Sequence, residues 1–173
     1  MRLPGTPHSS YGRVLFAGLR VLVLGWLVSL LAGCAKPPPP PPKPIVTPVS
    51  MTLVAGADAN PDARGRASPL NVRVYALKTT SAFESADFFT LFEKDQATLG
   101  AELIQREELL LRPGESKKLE MTLPADAKAL GVIAAYRDLE RARWRDARVV
   151  EPGTPLVLTV ALGARQVRID PAK

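Results

Sequence analysis

Histidine and cysteine are nearly absent from this 173-residue chain, which has one of each, His8 and Cys34. Residues 35–173 therefore carry no imidazole and no thiol. That excludes Ser-His-Asp and Cys-His catalysis from this stretch, and zinc sites built on His or Cys. Carboxylates remain, open to an all-oxygen calcium site or a paired-carboxylate mechanism. Yet Glu107-Glu108 and the scattered aspartates lack EF-hand spacing, and no Gly-rich phosphate loop is present. Such charges on strands and loops read as solvated, so no enzyme and no metal site is expected.

Aromatic residues are scarce too, at 6% of the chain, and none is interleaved with a basic run. The pairing of stacking with charge that nucleic-acid binding uses is missing. The formal charge of +6 is partly a property of the first 33 residues, which hold three arginines and no acid. Without them 20 basic residues face 17 acidic ones. No nucleic-acid partner is expected.

A long hydrophobic run is the third absence. Val21 to Leu31 is apolar apart from Gly25 and Ser29, enough for an export-signal core but short of the roughly 20 residues that span a bilayer. Arg2, Arg13 and Arg20 make the region before the cysteine basic. Leu31-Ala32-Gly33-Cys34 resembles the lipobox of bacterial lipoprotein signals. The resemblance implies that residues 1–33 are cleaved and that Cys34 becomes an acylated N-terminus carrying fatty chains such as palmitate. This covalent lipid is the only cofactor-like group expected. An uncleaved signal anchor with an incidental cysteine is the alternative, disfavoured by the position, neighbours and singularity of Cys34. Ala35, rather than Asp, in the next position implies sorting to the outer membrane.

Next come six consecutive prolines, Pro37 to Pro42, with Pro44 and Pro48 beyond. Proline locks φ and donates no amide proton, so residues 34–48 are expected outside any sheet or helix. As polyproline II, at about 3.1 Å per residue, they span roughly 40 Å. Such a segment can serve as a ligand for aromatic grooves, but beside a lipid anchor it reads as a tether.

From residue 49 to 173 the pattern has period two. Leu119, Met121 and Leu123 alternate with Lys118, Glu120 and Thr122; Leu156, Leu158, Val160 and Leu162 share a face; Leu70, Val72 and Val74 alternate with Asn71, Arg73 and Tyr75. Val167 and Ile169 continue the pattern, and further strands are expected at Val49–Ala55, Arg106–Leu111, Leu130–Tyr136 and Arg143–Val150. Pro113-Gly114 and Pro152-Gly153 mark bends, and Gly163-Ala164 a tight turn. Short one-sided strands at hairpin spacing predict an all-β fold, a two-sheet antiparallel sandwich.

Residues 81–99 break the pattern and hold four of the five phenylalanines, Phe83, Phe88, Phe89 and Phe92. Ser81 to Glu84 has capping-box spacing, Asp87 suits a second cap, and Phe88, Leu91 and Phe92 fall on one helical face. A small helical insertion is predicted. Its aromatics are expected to cap the open end of the sandwich rather than line a cofactor pocket, at about 1.5–3 kcal/mol per buried side chain.

Several segments, in order, carry a family resemblance. Asn60-Pro61-Asp62-Ala63-Arg64-Gly65-Arg66-Ala67-Ser68-Pro69 runs into Leu70 to Leu77; Phe83 to Phe92 and Ala97-Thr98-Leu99-Gly100 follow. Then come Glu107-Glu108, Leu111-Arg112-Pro113-Gly114-Glu115, and Leu130 to Leu139 with Trp144-Arg145. Together, behind a lipobox, they resemble the TssJ lipoproteins of bacterial type VI secretion systems. The resemblance implies a transthyretin-like sandwich on the periplasmic side of the outer membrane. It also implies binding to the periplasmic domain of the inner-membrane protein TssM through the loop from Gly56 to Pro69.

The residues of that loop read independently as a mixed-charge tip. Asp58, Asn60, Pro61, Asp62, Arg64, Gly65 and Arg66 are the candidate partner-binding residues, Arg64 and Arg66 foremost because arginine is enriched at interface hot spots. A loop of this length exceeds common hairpin connections, and its residues read equally as a binding element or as a solvated connector; the family resemblance tips the reading toward binding. The competing reading is a lipoprotein module for a small apolar ligand or a glycan, with the phenylalanine-rich insertion as a pocket wall.

Overall fold

Period-two alternation becomes eight strands because each can bury one face and solvate the other. The computed structural model describes residues 43–172; the export signal, Cys34 and Pro37 to Pro42 lie outside them. The strands are β1 (Val46–Ala55), β2 (Leu70–Leu77), β3 (Leu103–Leu111), β4 (Ser116–Pro124), β5 (Ala129–Ala134), β6 (Arg145–Val149), β7 (Leu156–Leu162) and β8 (Val167–Pro171). Two helices, α1 (Ser81–Ser85) and α2 (Phe88–Leu99), and a 3₁₀ turn, Gly100–Glu102, separate β2 from β3.

Two four-stranded sheets result, ordered β4-β1-β7-β8 and β3-β2-β5-β6. Val49, Met51 and Leu53 of β1 share one core with Val72 and Val74 of β2, Leu130 and Val132 of β5, and Leu158 and Val160 of β7. The predicted sandwich is the observed architecture, with one difference in pairing. β1 and β7 run parallel, Val49 opposite Leu156 through Ala55 opposite Leu162. Parallel neighbours require a long crossover, and here most of the chain lies between the two strands.

The first strand begins at Val46, three residues before its predicted start, and takes in Pro48 opposite Thr122. β7 pairs with β1 only from Val49 onward, so Val46 to Pro48 have β4 as sole neighbour. Such an edge position tolerates proline, which corrects the expectation that Pro48 stays outside the sheet.

The helical insertion is present but sits elsewhere than expected. It covers the outer face of the second sheet instead of the open end of the sandwich. Phe83, Leu91 and Leu99 pack with Tyr75, Leu77, Ala129 and Ile133 into a second apolar cluster. β2 and β5 are thereby buried on both faces. The N-cap of α1 is Thr80 rather than Ser81, without a side-chain cap bond; Glu102 instead accepts the Ala82 amide at 3.2 Å. Asp87 does cap α2, accepting the Thr90 amide at 3.0 Å.

A charged latch holds α2 down. The helix departs from helical dihedrals at Lys94 (φ −135°, ψ 34°), and the next residue, Asp95, is buried. Its Oδ2 accepts Arg106 Nη1 at 2.7 Å and the Tyr75 hydroxyl at 3.3 Å, with Arg73 Nη1 at 3.5 Å. Burial raises the Tyr75 hydroxyl to about 12, so it stays a neutral donor.

Candidate functional site

Loop 56–69 is pinned from within by Asn60. Only 3% of Asn60 is exposed, and its φ of 52° is one that asparagine tolerates better than most residues. Its Nδ2 donates to the Pro69 carbonyl at 2.8 Å, its Oδ1 accepts the Arg137 amide at 2.8 Å, and its own amide donates to the Ala164 carbonyl at 3.2 Å. One side chain thus ties loop 56–69 to loop 135–144, and its backbone ties it to turn 163–166. Ala59 and Ser68 are buried beside it. Of the predicted contact residues, Asn60 therefore shapes the loop and offers no free face to a partner.

The tip beyond Asn60 is closed by Asp62. Its Oδ1 accepts the amides of Arg64 and Arg66 at 2.9 and 3.0 Å. Its Oδ2 takes Arg66 Nε at 2.8 Å and Arg66 Nη2 at 2.7 Å, the two-pronged geometry that arginine favours with carboxylates. The Asp62 amide donates to the Arg66 carbonyl, and Gly65 completes the turn at φ 77°. The hydrogen bonds from the Arg66 backbone and side chain hold the Asp62 carboxyl below its ordinary value. Arg66 is thus half-committed within the loop. Ala63, Arg64 and Gly65 are exposed at the apex and Asp58 near the loop's start, while Pro61 is partly covered.

Sequence reasoning missed what lies alongside. The tip residues Pro61, Asp62, Ala63 and Gly65 form one wall of a cleft of about 760 Å³, and Arg137, Asp138, Glu140, Arg141 and Arg165 form the other. Arg165 Nε donates to Asp138 Oδ2 at 3.0 Å. A signal for this wall existed in the arginine density between Arg137 and Arg148, but no local pattern says that it meets the loop.

The phenylalanine-rich insertion is packed rather than hollow. Phe83 meets Tyr75 edge-on at 5.9 Å, Phe88 stacks on Phe92 at 5.2 Å, and Trp144 meets Phe88 edge-on at 5.3 Å. These rings spend much of their surface on one another and on the sheet, while Phe89 is 60% exposed. Among the described residues, no three His, Cys, Asp or Glu side chains gather as a metal-holding group. No helix among them is long and apolar enough to cross a membrane.

Residues 47–165 match the family model described as type VI secretion lipoprotein, VasD, EvfM, TssJ. The structure is similar to the T6SS lipoprotein TssJ1 from Pseudomonas aeruginosa, at 42% identity and a TM-score of 0.72, covering 76% of this chain and 98% of that one. It is similar to Serratia marcescens Lip, a membrane-bound component of the type VI secretion system, at 26% identity and a TM-score of 0.68, covering 76% and 99%. A chain in a structure described as the C-terminal domain of the T6SS protein TssM from EAEC matches at 27% identity and a TM-score of 0.59, covering 72% and 98%. None of the curated proteins compared matches this chain.

Proposed function

The chain belongs to the family of type VI secretion lipoproteins, and on that footing we propose that it anchors the secretion membrane complex at the outer membrane. In this reading acyl chains on Cys34 hold the protein in the lipid, the proline tether lifts the sandwich clear, and loop 56–69 binds the periplasmic domain of a TssM-like inner-membrane protein. Its work is contact and not catalysis.

The observation that carries the reading is the direction of β1. The chain arrives from the tether at Val46 and reaches the loop only after Ala55, about 30 Å farther on at 3.3 Å per residue. Val46, where the described chain enters β1, and the loop thus lie at opposite ends of this strand, an arrangement that suits a bridge between two membranes. The loop is also pre-ordered by Asn60 and Asp62, so little ordering entropy is lost when a partner docks. Among solved relatives, the match to a chain in a structure described by its TssM domain supports the choice of partner.

The test is capture of the TssM periplasmic domain from the same bacterium by the full chain in an uncharged detergent. Ala63→Trp and Arg64→Glu alter only the exposed apex. Each should weaken capture at least tenfold while the thermal melt stays unchanged. Undiminished capture by both would move the interface elsewhere.

A further inference from the structure

On the same end of the sandwich as loop 56–69, a second cleft of about 590 Å³ is lined by Arg141, Arg143, Arg165 and Arg168 over a floor of small residues, with no acidic and no aromatic side chain in its lining. We propose that this arginine cleft receives an acidic segment of the same protein partner that docks on loop 56–69. The inference rests on the function proposed above and adds the chemistry of a second contact.

Backbone hydrogen bonds fix where these arginines leave the chain. The Arg143 amide donates to the Arg165 carbonyl at 2.8 Å, and the Val167 amide donates to the Arg143 carbonyl at 3.0 Å. This short bridge between loop 135–144 and turn 163–166, at the start of β8, sets Arg141 and Arg143 beside Arg165 and Arg168.

Their own counter-ions are spent or distant. Arg168 Nε donates to Asp170 at 2.8 Å and Arg165 Nε to Asp138 at 3.0 Å, engaging the Nε edge of each. Arg141 lies 3.8 Å from Asp138, already bonded to Arg165, and Arg143 lies 3.9 Å from Asp146. The Asp146 oxygens in turn accept the amides of Ala147 and Ile169. Neither Arg141 nor Arg143 has a carboxylate at hydrogen-bond distance, and their side chains are 77% and 65% exposed. Like charges assembled this way repel one another across less than a Debye length, and fork-shaped donors of this kind match carboxylates two bonds at a time.

Position selects a protein among the anionic candidates. β7 runs parallel to β1, so turn 163–166 lies at the end of the strand pair opposite Val46 and, on the anchoring proposed above, away from the lipid. The lining has no aromatic face for a sugar ring to stack on. Arg141 and Arg165 also line the cleft beside the loop tip, so a partner seated on the tip continues into the arginine cleft without a gap.

The test compares three forms of the full chain in uncharged detergent: wild type, Arg141→Glu/Arg143→Glu, and Arg141→Lys/Arg143→Lys. Binding of the TssM periplasmic domain is measured from low to high salt, with circular dichroism as the check of folding. Wild-type affinity should fall steeply with salt. The glutamate pair should lose at least tenfold at low salt and flatten the salt dependence, as removing steering charges does. The lysine pair should keep the salt dependence and lose part of the affinity. An unchanged salt profile in the glutamate pair overturns the inference. If Arg64→Glu abolishes capture in that case, the loop reading survives without it.

A decaglutamate peptide serves as an independent probe of the cleft. Wild type should bind it and the glutamate pair should not, whatever happens with TssM. Failure of wild-type capture would sink the loop reading and, with it, the inference that rests on it; capture by wild type without peptide binding would sink the inference alone. Phosphatidylglycerol vesicles bound through Arg141 and Arg143 in place of the peptide would make the cleft a lipid site and overturn the proposal.

Discussion

Gly131 lies directly beneath the ring of Phe83. A β-carbon on Gly131 would stand 2.8 Å from Phe83 Cζ and 2.9 Å from Cε2, closer than any real contact. Phe83 itself is fully buried, so its ring can give way only by displacing its neighbours. The absent side chain is what lets α1 close onto β5.

Gly131→Ala should therefore destabilise the fold by about 1–3 kcal/mol, the usual cost of overpacking. Phe83→Ala should cost about 3–5 kcal/mol through the cavity left behind. The double variant should cost clearly less than the two added, because removing the ring relieves the clash. Urea unfolding of the four proteins measures this, and strict additivity would mean that the two do not touch.

Asn60→Ala strands the Arg137 amide and the Pro69 carbonyl near the base of the loop, and loses the asparagine preference for positive φ. Both bonds are part-buried, so the loss should stay at the lower end of the about 1–3 kcal/mol that an unpartnered buried group costs. Asn60→Gly restores the backbone freedom but not the bonds, so it should fall between wild type and alanine. Hydrogen exchange at Arg137 should speed up in both variants; an unaltered rate would show that the Asn60 bond does not protect it.

Asp95 gives the fold a defined acid sensitivity. Burial opposes its ionisation, but the hydrogen bonds from Arg106 and the Gln96 amide, with the charges of Arg106 and Arg73, outweigh burial and hold its carboxyl below the ordinary 3.8. A depressed folded value stabilises the protein above the unfolded value, and that contribution is lost as pH falls through 3.8 toward the folded one. Asp95→Asn should lower stability at pH 7 by about 1–3 kcal/mol. The gap from wild type should shrink between pH 5 and pH 2. A constant gap across that range would place the stabilisation outside the carboxylate charge.

Cys34→Ala should leave the precursor uncleaved and retained at the inner membrane. Stable anchoring takes more than one acyl chain, so the variant has no other route to the outer membrane. Its appearance in outer-membrane fractions would disprove the lipobox reading.

The legible part of this fold was local. The alternation of Lys118, Leu119, Glu120 and Met121 marked β4 within one residue of its observed end, because a half-buried strand writes its burial into every second position. Asp87 was legible as a cap for the same reason: its partner is the Thr90 amide, three residues away. Ser81 misleads because the helix starts one residue earlier and the acceptor for the Ala82 amide is Glu102, 20 residues away in sequence. The parallel pairing of β1 with β7 left no trace in either strand, since both directions use the same alternation.

The candidate site divides in the same way. The proline run and the mixed-charge tip of loop 56–69 are consecutive residues that composition marks out, and the lipobox-like Leu31 to Cys34 is legible through its resemblance to lipoprotein signals. The role of Asn60 depends on Arg137, 77 residues away. The clefts depend on arginines from loop 135–144 meeting β7–β8 and its turn.

The sequence by itself determined, to within a few residues, where the strands fall and which connection between them is long, because those follow from periodicity and local backbone chemistry. Only the tertiary structure decided that α1 and α2 cover the outer sheet face, that Asn60 is a buried tie and that four arginines line one cleft. Those outcomes arise from packing between segments far apart in the chain, and no local pattern encodes which distant partner fills a given space.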